Sequence, residues 1–266
     1  MTETTVKTER LGSTFIIEIN RPQVRNAVDT PTAHKLAAAF KEFDADDSLK
    51  VAAFHGSNGT FCAGADLKKV SQSDMALPVL ENEVARMDDR APMGPSYMRP
   101  SKPVIGAIAG HAVAGGLELS LVADFRVVEE SAIFGVFCRR WGVPLIDGGT
   151  IRLPRIVGMG NALDMILTGR PVDAHEAKVM GLANRLVPDG KSLEVAIEIA
   201  AQLAAFPQLC MLNDRKSAYE QWGLSFEDAL INENLLGRQV LESGETVEGA
   251  SRFASGKGRG GSFNDI

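Results

Sequence analysis

Two short glycine-flanked segments hold the residues best placed to do chemistry. They are Phe61-Cys62-Ala63-Gly64-Ala65-Asp66-Leu67 and Gly110-His111-Ala112-Val113-Ala114-Gly115-Gly116-Leu117-Glu118. Each follows an apolar, strand-like run and leads into a helix-like stretch. Each therefore offers small residues and unsatisfied backbone N–H groups where negative charge is favoured. Two such turns can converge on one oxygen atom and form a two-donor oxyanion hole. The second turn also carries a carboxylate, Glu118, within the first helical turn beside those donors. That combination suits reactions at a carbonyl whose α-carbon gains or loses a proton.

The remaining reactive residues fit no familiar constellation. Asp147, in Pro144-Leu-Ile-Asp-Gly148, is a second carboxylate candidate, with a helix N-cap before Gly148-Gly-Thr150 as its plainer reading. His34, His55, His111 and His175 lack partner patterns and read as structural. With Cys62, Cys138 and Cys210 they suggest no Ser/His/Asp or Cys/His set. The three cysteines have neither a zinc spacing nor a disulfide framework, so no metal is expected and a reducing cytoplasm is the expected location. The net charge of −6 gives no general attraction to nucleic acid or anionic membrane, so neither is expected as a partner. An anionic ligand must then be held by local donors. The first ten residues are too polar for a signal peptide. Pro103 to Ala123 has the length of a membrane span, but it contains His111 and Glu118 and breaks at Gly115-Gly116. Buried strand, turn and helix is the reading it supports.

The elements that must position these residues follow from periodicity. Thr14-Phe-Ile-Ile-Glu-Ile19 alternates as a strand and is broken by Asn20-Arg21-Pro22. Thr30-Pro31 opens a helix, with Ala33, Leu36, Ala37, Phe40 and Phe43 at helical spacing. Val51 to His55 and Val104 to Ile108 are buried strands, each leading into a glycine motif. Phe125 to Val128 and Ala132 to Phe134 add two short strands. Residues 68–100 are polar and weakly periodic, read as a helix over about 77 to 90 within a mobile loop. From Gly158 onward the chain reads helical: Asn161 to Thr168, a helix capped by Asp173, Leu193 to Ala205 and Leu209 to Trp222. Ser225 to Leu241 completes the set, with Asp228 three residues beyond its capping Ser225. Ser255 to Gly261 reads as a flexible basic tail. Nothing resembles a linker, so the expected architecture is one mixed α/β domain with a helical C-terminal section.

Taken together, the two glycine motifs resemble the crotonase superfamily, the enoyl-CoA hydratase/isomerase family. The resemblance spans roughly Phe15 to Leu241. It includes Asn20-Arg-Pro-Gln-Val-Arg-Asn-Ala27, Lys102-Pro-Val-Ile-Gly-Ala-Ile-Ala-Gly110 and Ala123-Asp-Phe-Arg-Val127. Gly148-Gly-Thr-Ile-Arg-Leu-Pro154 and the stretch from Thr168-Gly-Arg to Glu176-Ala-Lys-Val-Met-Gly-Leu182 extend it. Each segment is weakly specific alone; their order and spacing are specific.

The resemblance implies a spiral of repeated ββα units over residues 1–200, carrying an acyl-CoA site. Residues 201–266 would form a helical oligomerisation section, in a trimer or a dimer of trimers. It implies that the backbone N–H groups of Ala63 and Gly115 bind a thioester oxygen. Gln23, Val24 and Arg25, with Ala63, Gly64, Ala65, Asp66, Leu67 and Gly115, would line the acyl-CoA groove. Arg25, Lys68 and Lys69 are open to a phosphate role or to plain surface solvation. Glu118 matches one of the two glutamates that in family hydratases hold water and exchange protons with C2 and C3. A gapless alignment puts Cys138 at the position of the other, where a thiol cannot activate water as a carboxylate does. Arg139 and Arg140 could lower that thiol's pKa if they faced it. Family isomerases often carry a carboxylate on the Asp147 loop, usually one position earlier, where this chain has Ile146. The implied activity is that of an enoyl-CoA hydratase, a hydro-lyase of fatty-acid metabolism, with no cofactor beyond the coenzyme A of the substrate. The alternatives are a double-bond isomerase, which needs one proton shuttle, and an acyl-CoA binder without hydration activity.

Overall fold

The structure, a computed structural model, describes residues 4–72 and 91–263. The helix expected over about 77 to 90 lies outside them. Thr14–Ile19 forms strand β2, and nearly all of its residues are buried. Both faces are covered, which is why the run is apolar rather than strictly alternating. Ahead of it, β1 (Val6–Leu11) pairs antiparallel with β2, from Leu11 opposite Thr14 to Val6 opposite Ile19. Apart from Leu11, its outward residues are polar or charged, as suits a sheet edge, and so it carries no periodic signal.

After β2 come α1 (Thr30–Ala45), β3 (Val51–Gly56), the single turn α2 (Leu67–Val70), β4 (Val104–Ile108) and β5 (His111–Val113). There follow α3 (Gly115–Ser120), β6 (Phe125–Glu129), β7 (Ile133–Gly135), α4 (Gly149–Val157) and α5 (Met159–Thr168). Then β8 (Val172–Asp173), α6 (Ala174–Met180), β9 (Arg185–Val187) and α7 (Ser192–Ala205) complete the order up to residue 205. The larger sheet runs β1-β2-β3-β4-β6-β9, parallel except at its β1 edge, and the smaller runs β5-β7-β8. Consecutive strands β4 and β5 therefore lie in different sheets. The chain changes sheet at Gly110 (φ +50), where any side chain would collide with the Gly59 carbonyl. This β, β, α progression is the expected repeat.

Helix α1 is capped by Asp29, whose side chain accepts from the Thr32 N–H, and it buries Ala33, Leu36, Ala37, Phe40 and Phe43 as its periodicity requires. Phe40 meets Phe54 of β3 edge-on, and Phe54 meets Phe61 in the same way, each at 5.2 Å between ring centres. These contacts tie the first glycine motif to α1 and β3.

Residues up to Ala200 and residues from Ala201 onward form two compact units. The second contains α8 (Gln208–Glu220), α9 (Phe226–Ser243) and α10 (Glu245–Ala254). Ser225 caps α9 by accepting from the Asp228 N–H at 3.1 Å. The Glu245 carboxylate accepts from the Leu209 and Cys210 N–H groups at the start of α8. The stretch 255–261, expected to be flexible, forms turns that end in a 3₁₀ turn over Arg259–Gly261. Gly256, Gly258, Gly260 and Gly261 all take the positive φ those turns need. Among the described residues, no single helix is long and apolar enough to cross a membrane.

Candidate active site

The two glycine motifs meet backbone to backbone. Cys62 donates its N–H to the His111 carbonyl at 2.8 Å, and Val113 donates to the Cys62 carbonyl at 3.1 Å. A side chain on Gly116 would run into that Cys62 carbonyl, and one on Gly64 would lie 2.9 Å from the Ala114 Cβ. Small residues are required here by close approach, which sets the two turns side by side.

The two proposed donors differ. The Gly115 N–H, at the first position of α3, has no acceptor among the described residues. The Ala63 N–H instead donates to the Arg25 carbonyl at 3.0 Å, so it does not stand open as the sequence reading supposed. The cause lies in the Asn-Arg-Pro segment, where Arg25 (φ 53) and Asn26 (φ 57) both adopt the left-handed conformation. The Asn26 amide donates to the Ser57 and Thr60 carbonyls and its Oδ1 accepts from the Arg21 N–H. That clamp turns the Arg25 carbonyl onto Ala63.

Glu118 is 2% exposed. Its Oε1 accepts from the N–H groups of Asp147 and Gly149, each at 2.9 Å, at the start of α4. The carboxylate thus complements the N-terminus of a different helix from its own. Gly149 must lack a side chain, since a Cβ there would lie 2.9 Å from the Glu118 Cγ. Burial, reinforced by the negative charge of Asp147, pushes the Glu118 carboxyl up to about 7.

Asp147 is 3% exposed and does not cap α4; Gly148 occupies that position without a side-chain bond. Its Oδ1 instead accepts from the Met93 N–H at 3.0 Å and from the Ser96 hydroxyl. Burial raises its pKa, opposed by those two donors and by the Arg152 guanidinium. Glu118 and Asp147 are therefore neighbouring carboxylates, each anchored through one oxygen. Both line a single cavity of about 1010 Å³ whose wall also includes Ala63 and Gly115.

Cys138 lies buried on the 3₁₀ turn Phe137–Trp141 and lines the same cavity. Burial, then the charge of Glu118, push its thiol up, outweighing the opposite pull of Arg139. It enters the site as a neutral thiol. Arg139 donates to the Ile166 carbonyl at 2.9 Å, and Arg140 stacks over the Phe137 ring at 4.9 Å.

Arg25, Ala65, Asp66 and Leu67 line the cavity, whereas Gln23, Val24 and Gly64 are not among its lining residues. The Asp66 carboxylate is committed to the buried Arg21 guanidinium at 3.1 Å, which also holds Asp29 at 3.0 Å. Lys69 faces the cavity, as do His34 and His111, which the sequence had marked only as structural. Met93, Ser96, Tyr97 and Arg152 carried no signal in the sequence, because their roles are set by contacts about fifty residues away along the chain. Among the described residues, no group of three or more His, Cys, Asp or Glu side chains is disposed to hold a metal ion.

Known proteins with similar sequence and fold share this arrangement of elements. The family model described as enoyl-CoA hydratase/isomerase matches residues 9–254. The enoyl-CoA hydratase EchA19 of Mycobacterium tuberculosis is 34% identical over 253 residues, covering 92% of each chain. A crystal structure of an enoyl-CoA hydratase from M. tuberculosis H37Rv superposes with a TM-score of 0.86 at 33% identity, covering 95% of this chain and 96% of that one. The crystal structure of enoyl-CoA hydratase EchA1 from Mycobacterium marinum gives a TM-score of 0.86 at 31% identity, with the same coverage.

Proposed function

Because the chain belongs to the enoyl-CoA hydratase/isomerase family, we propose that it adds water across the double bond of a 2-enoyl-CoA thioester. The carrying observation is the pair of buried carboxylates, Glu118 and Asp147, each fixed through one oxygen beside the open Gly115 N–H. The thioester oxygen binds at Gly115, with Ala63 as second donor once its N–H is shared with or released from the Arg25 carbonyl. As C2 gains carbanion character that oxygen becomes enolate-like, so a donor aimed at it stabilises the transition state more than the ground state.

Hydration forms a C3–O bond from water, leaves a proton at C2 and consumes the C2–C3 π bond. One ionised and one protonated carboxyl suffice: the first takes the proton of water, the second gives its own to C2. A neighbouring pair whose environments separate the two titrations supplies that state near neutral pH. Asp147 thus stands in for the missing second glutamate, and Cys138 serves as a neutral wall. Arg25 and Lys69, at the cavity, suit the phosphates of coenzyme A, and the reaction needs no other cofactor. The reading places the protein in lipid metabolism. Three free cysteines support a cytoplasmic setting. Exposed apolar side chains on α9 support a homo-oligomer, a trimer or a dimer of trimers.

The test is hydration of crotonyl-CoA, followed by loss of the conjugated-thioester absorbance, by the wild type, Glu118→Gln and Asp147→Asn. Each substitution is expected to lower turnover by about 10²–10⁴-fold. Near-wild-type turnover in Asp147→Asn would remove Asp147 from the chemistry. Conversion of a 3-enoyl-CoA without hydration of a 2-enoyl-CoA would make the enzyme an isomerase instead.

A further inference from the structure

Met93 belongs to neither glycine motif and carries no charge, yet it is 1% exposed and forms part of the cavity wall. Its thioether fills the notch that Gly115 leaves by lacking a side chain. A Cβ on Gly115 would lie 2.9 Å from Sδ, 3.0 Å from Cε and 3.2 Å from Cγ of Met93. N and Cβ of one residue are about 2.5 Å apart, so the sulfur sits no more than about 5.4 Å from the Gly115 nitrogen. A thioester oxygen held on that N–H brings C1 and C2 of the acyl group against the sulfur and its methyl.

The backbone that carries Met93 is held from three sides. Asp147 takes the Met93 N–H and the Ser96 hydroxyl. Arg152 donates to the Ser96 carbonyl at 2.6 Å and to the Met98 carbonyl at 3.3 Å, and the Tyr97 hydroxyl donates to the Ile146 carbonyl at 2.7 Å. Gly94 turns at φ +84 against the Ala33 carbonyl of α1, an approach that leaves no room for a side chain. A methionine side chain adapts to its surroundings, but here its root is fixed and its tip is pressed into the oxyanion turn.

We infer that Met93 sets the substrate class at the α-carbon: the site takes thioesters unsubstituted at C2 and excludes a C2 branch. This rests on the placement of the thioester at Gly115 proposed above. The cavity of about 1010 Å³ is large for an acyl group, so the exclusion is local to Met93 and not a limit on overall size.

The experiment compares kcat/KM for crotonyl-CoA and for its 2-methyl homologue in the wild type, Met93→Ala and Met93→Leu. A single methyl against a packed wall is discriminated by about 10–200-fold. The wild type is therefore expected to prefer crotonyl-CoA by at least about tenfold. Met93→Ala should collapse that ratio, and the near-isosteric Met93→Leu should keep it. Equal kcat/KM for the two thioesters in the wild type overturns the inference, whether or not the alanine variant folds. An unchanged ratio in folded Met93→Ala overturns it too. If the wild type hydrates neither, the hydratase reading fails separately. Calorimetric binding of butanoyl-CoA against 2-methylbutanoyl-CoA then decides: tighter binding of the unbranched thioester supports the inference, and equal binding overturns it.

Discussion

The chemistry of this site comes down to a carboxyl group held where ionisation is costly. Glu118 has a folded-state pKa of about 7 against an ordinary value of 4.5. Between those values the folded protein binds more protons than the unfolded chain, so stability falls as pH rises through that window and is lowest above it. A separation of this size corresponds to about 3 kcal/mol. Glu118→Gln keeps an acceptor for the Asp147 and Gly149 N–H groups but never ionises. It is expected to unfold at a higher temperature than the wild type at pH 8, with the gap closing near pH 4, as calorimetric melts would show. The same variant should lose about 10²-fold or more in turnover while acyl-CoA affinity changes little. Stability gained and activity lost in one substitution is the signature of a group kept for function. Asp147→Asn carries a second prediction. Removing the negative charge beside Glu118 lowers that residue's pKa, so any residual activity governed by protonated Glu118 should lose its upper limb at a lower pH than in the wild type. An unmoved limb in the kcat/KM profile would show that the two carboxyls are not coupled.

The elements matter because they bring backbones closer than side chains permit. Gly116 lies against the Cys62 carbonyl and Gly110 against the Gly59 carbonyl, and those contacts are what make two separate turns into one site. Gly116→Ala forces Cβ into a carbonyl that cannot yield without shifting β5. Overpacking of this kind costs about 1–3 kcal/mol or more, so the variant should show a clearly lowered urea midpoint and lose thioester binding with it. The 3₁₀ turn Pro95–Tyr97 is the other supporting element. Ser96→Ala removes the hydroxyl that donates to buried Asp147. The expected cost is about 1–3 kcal/mol, and Ser96→Thr should recover part of it where the added methyl is accommodated.

Over the whole molecule, each of the two compact units carries exposed apolar side chains. The unit that ends at Ala200 packs a core around the two sheets and leaves Trp141, Ile151, Met159, Leu167 and Val179 more than half exposed. The second unit leaves Phe226, Ile231, Leu235, Leu241 and Phe253 each more than half exposed. Surfaces of that kind mark contact with another protein, in keeping with the proposed homo-oligomer. Sedimentation equilibrium should report a mass that is a multiple of three chains. Replacing Phe226 and Ile231 together with glutamate is expected to shift that mass toward the monomer. A wild type that sediments as a 28.5 kDa monomer would contradict the assembly.

Much of this arrangement was legible along the chain because it depends on local forces. The strand Thr14–Ile19, the apolar stripe of α1, and the caps Asp173 and Ser225 each follow from residues within one turn or one strand of each other. The glycine motifs and Glu118 were equally plain, since close backbone approach leaves a compositional trace. Strand β1 was not legible, because a polar edge strand has no hydrophobic period and is held by its partner β2. Nor was the fate of the donors and acids. Residue types alone made Ala63 and Gly115 equal, and only the folded Asn26 clamp puts the Arg25 carbonyl on one of them. The partner of Asp147 could not be read from its neighbours either: one oxygen of its carboxylate is held by Met93 and Ser96, far back in the chain. The sequence by itself determined which groups can donate, accept or exchange a proton. Tertiary structure decided which of them are already occupied and which are buried together. Hydrogen-bond saturation and desolvation belong to the packed site and have no counterpart in an isolated stretch of chain.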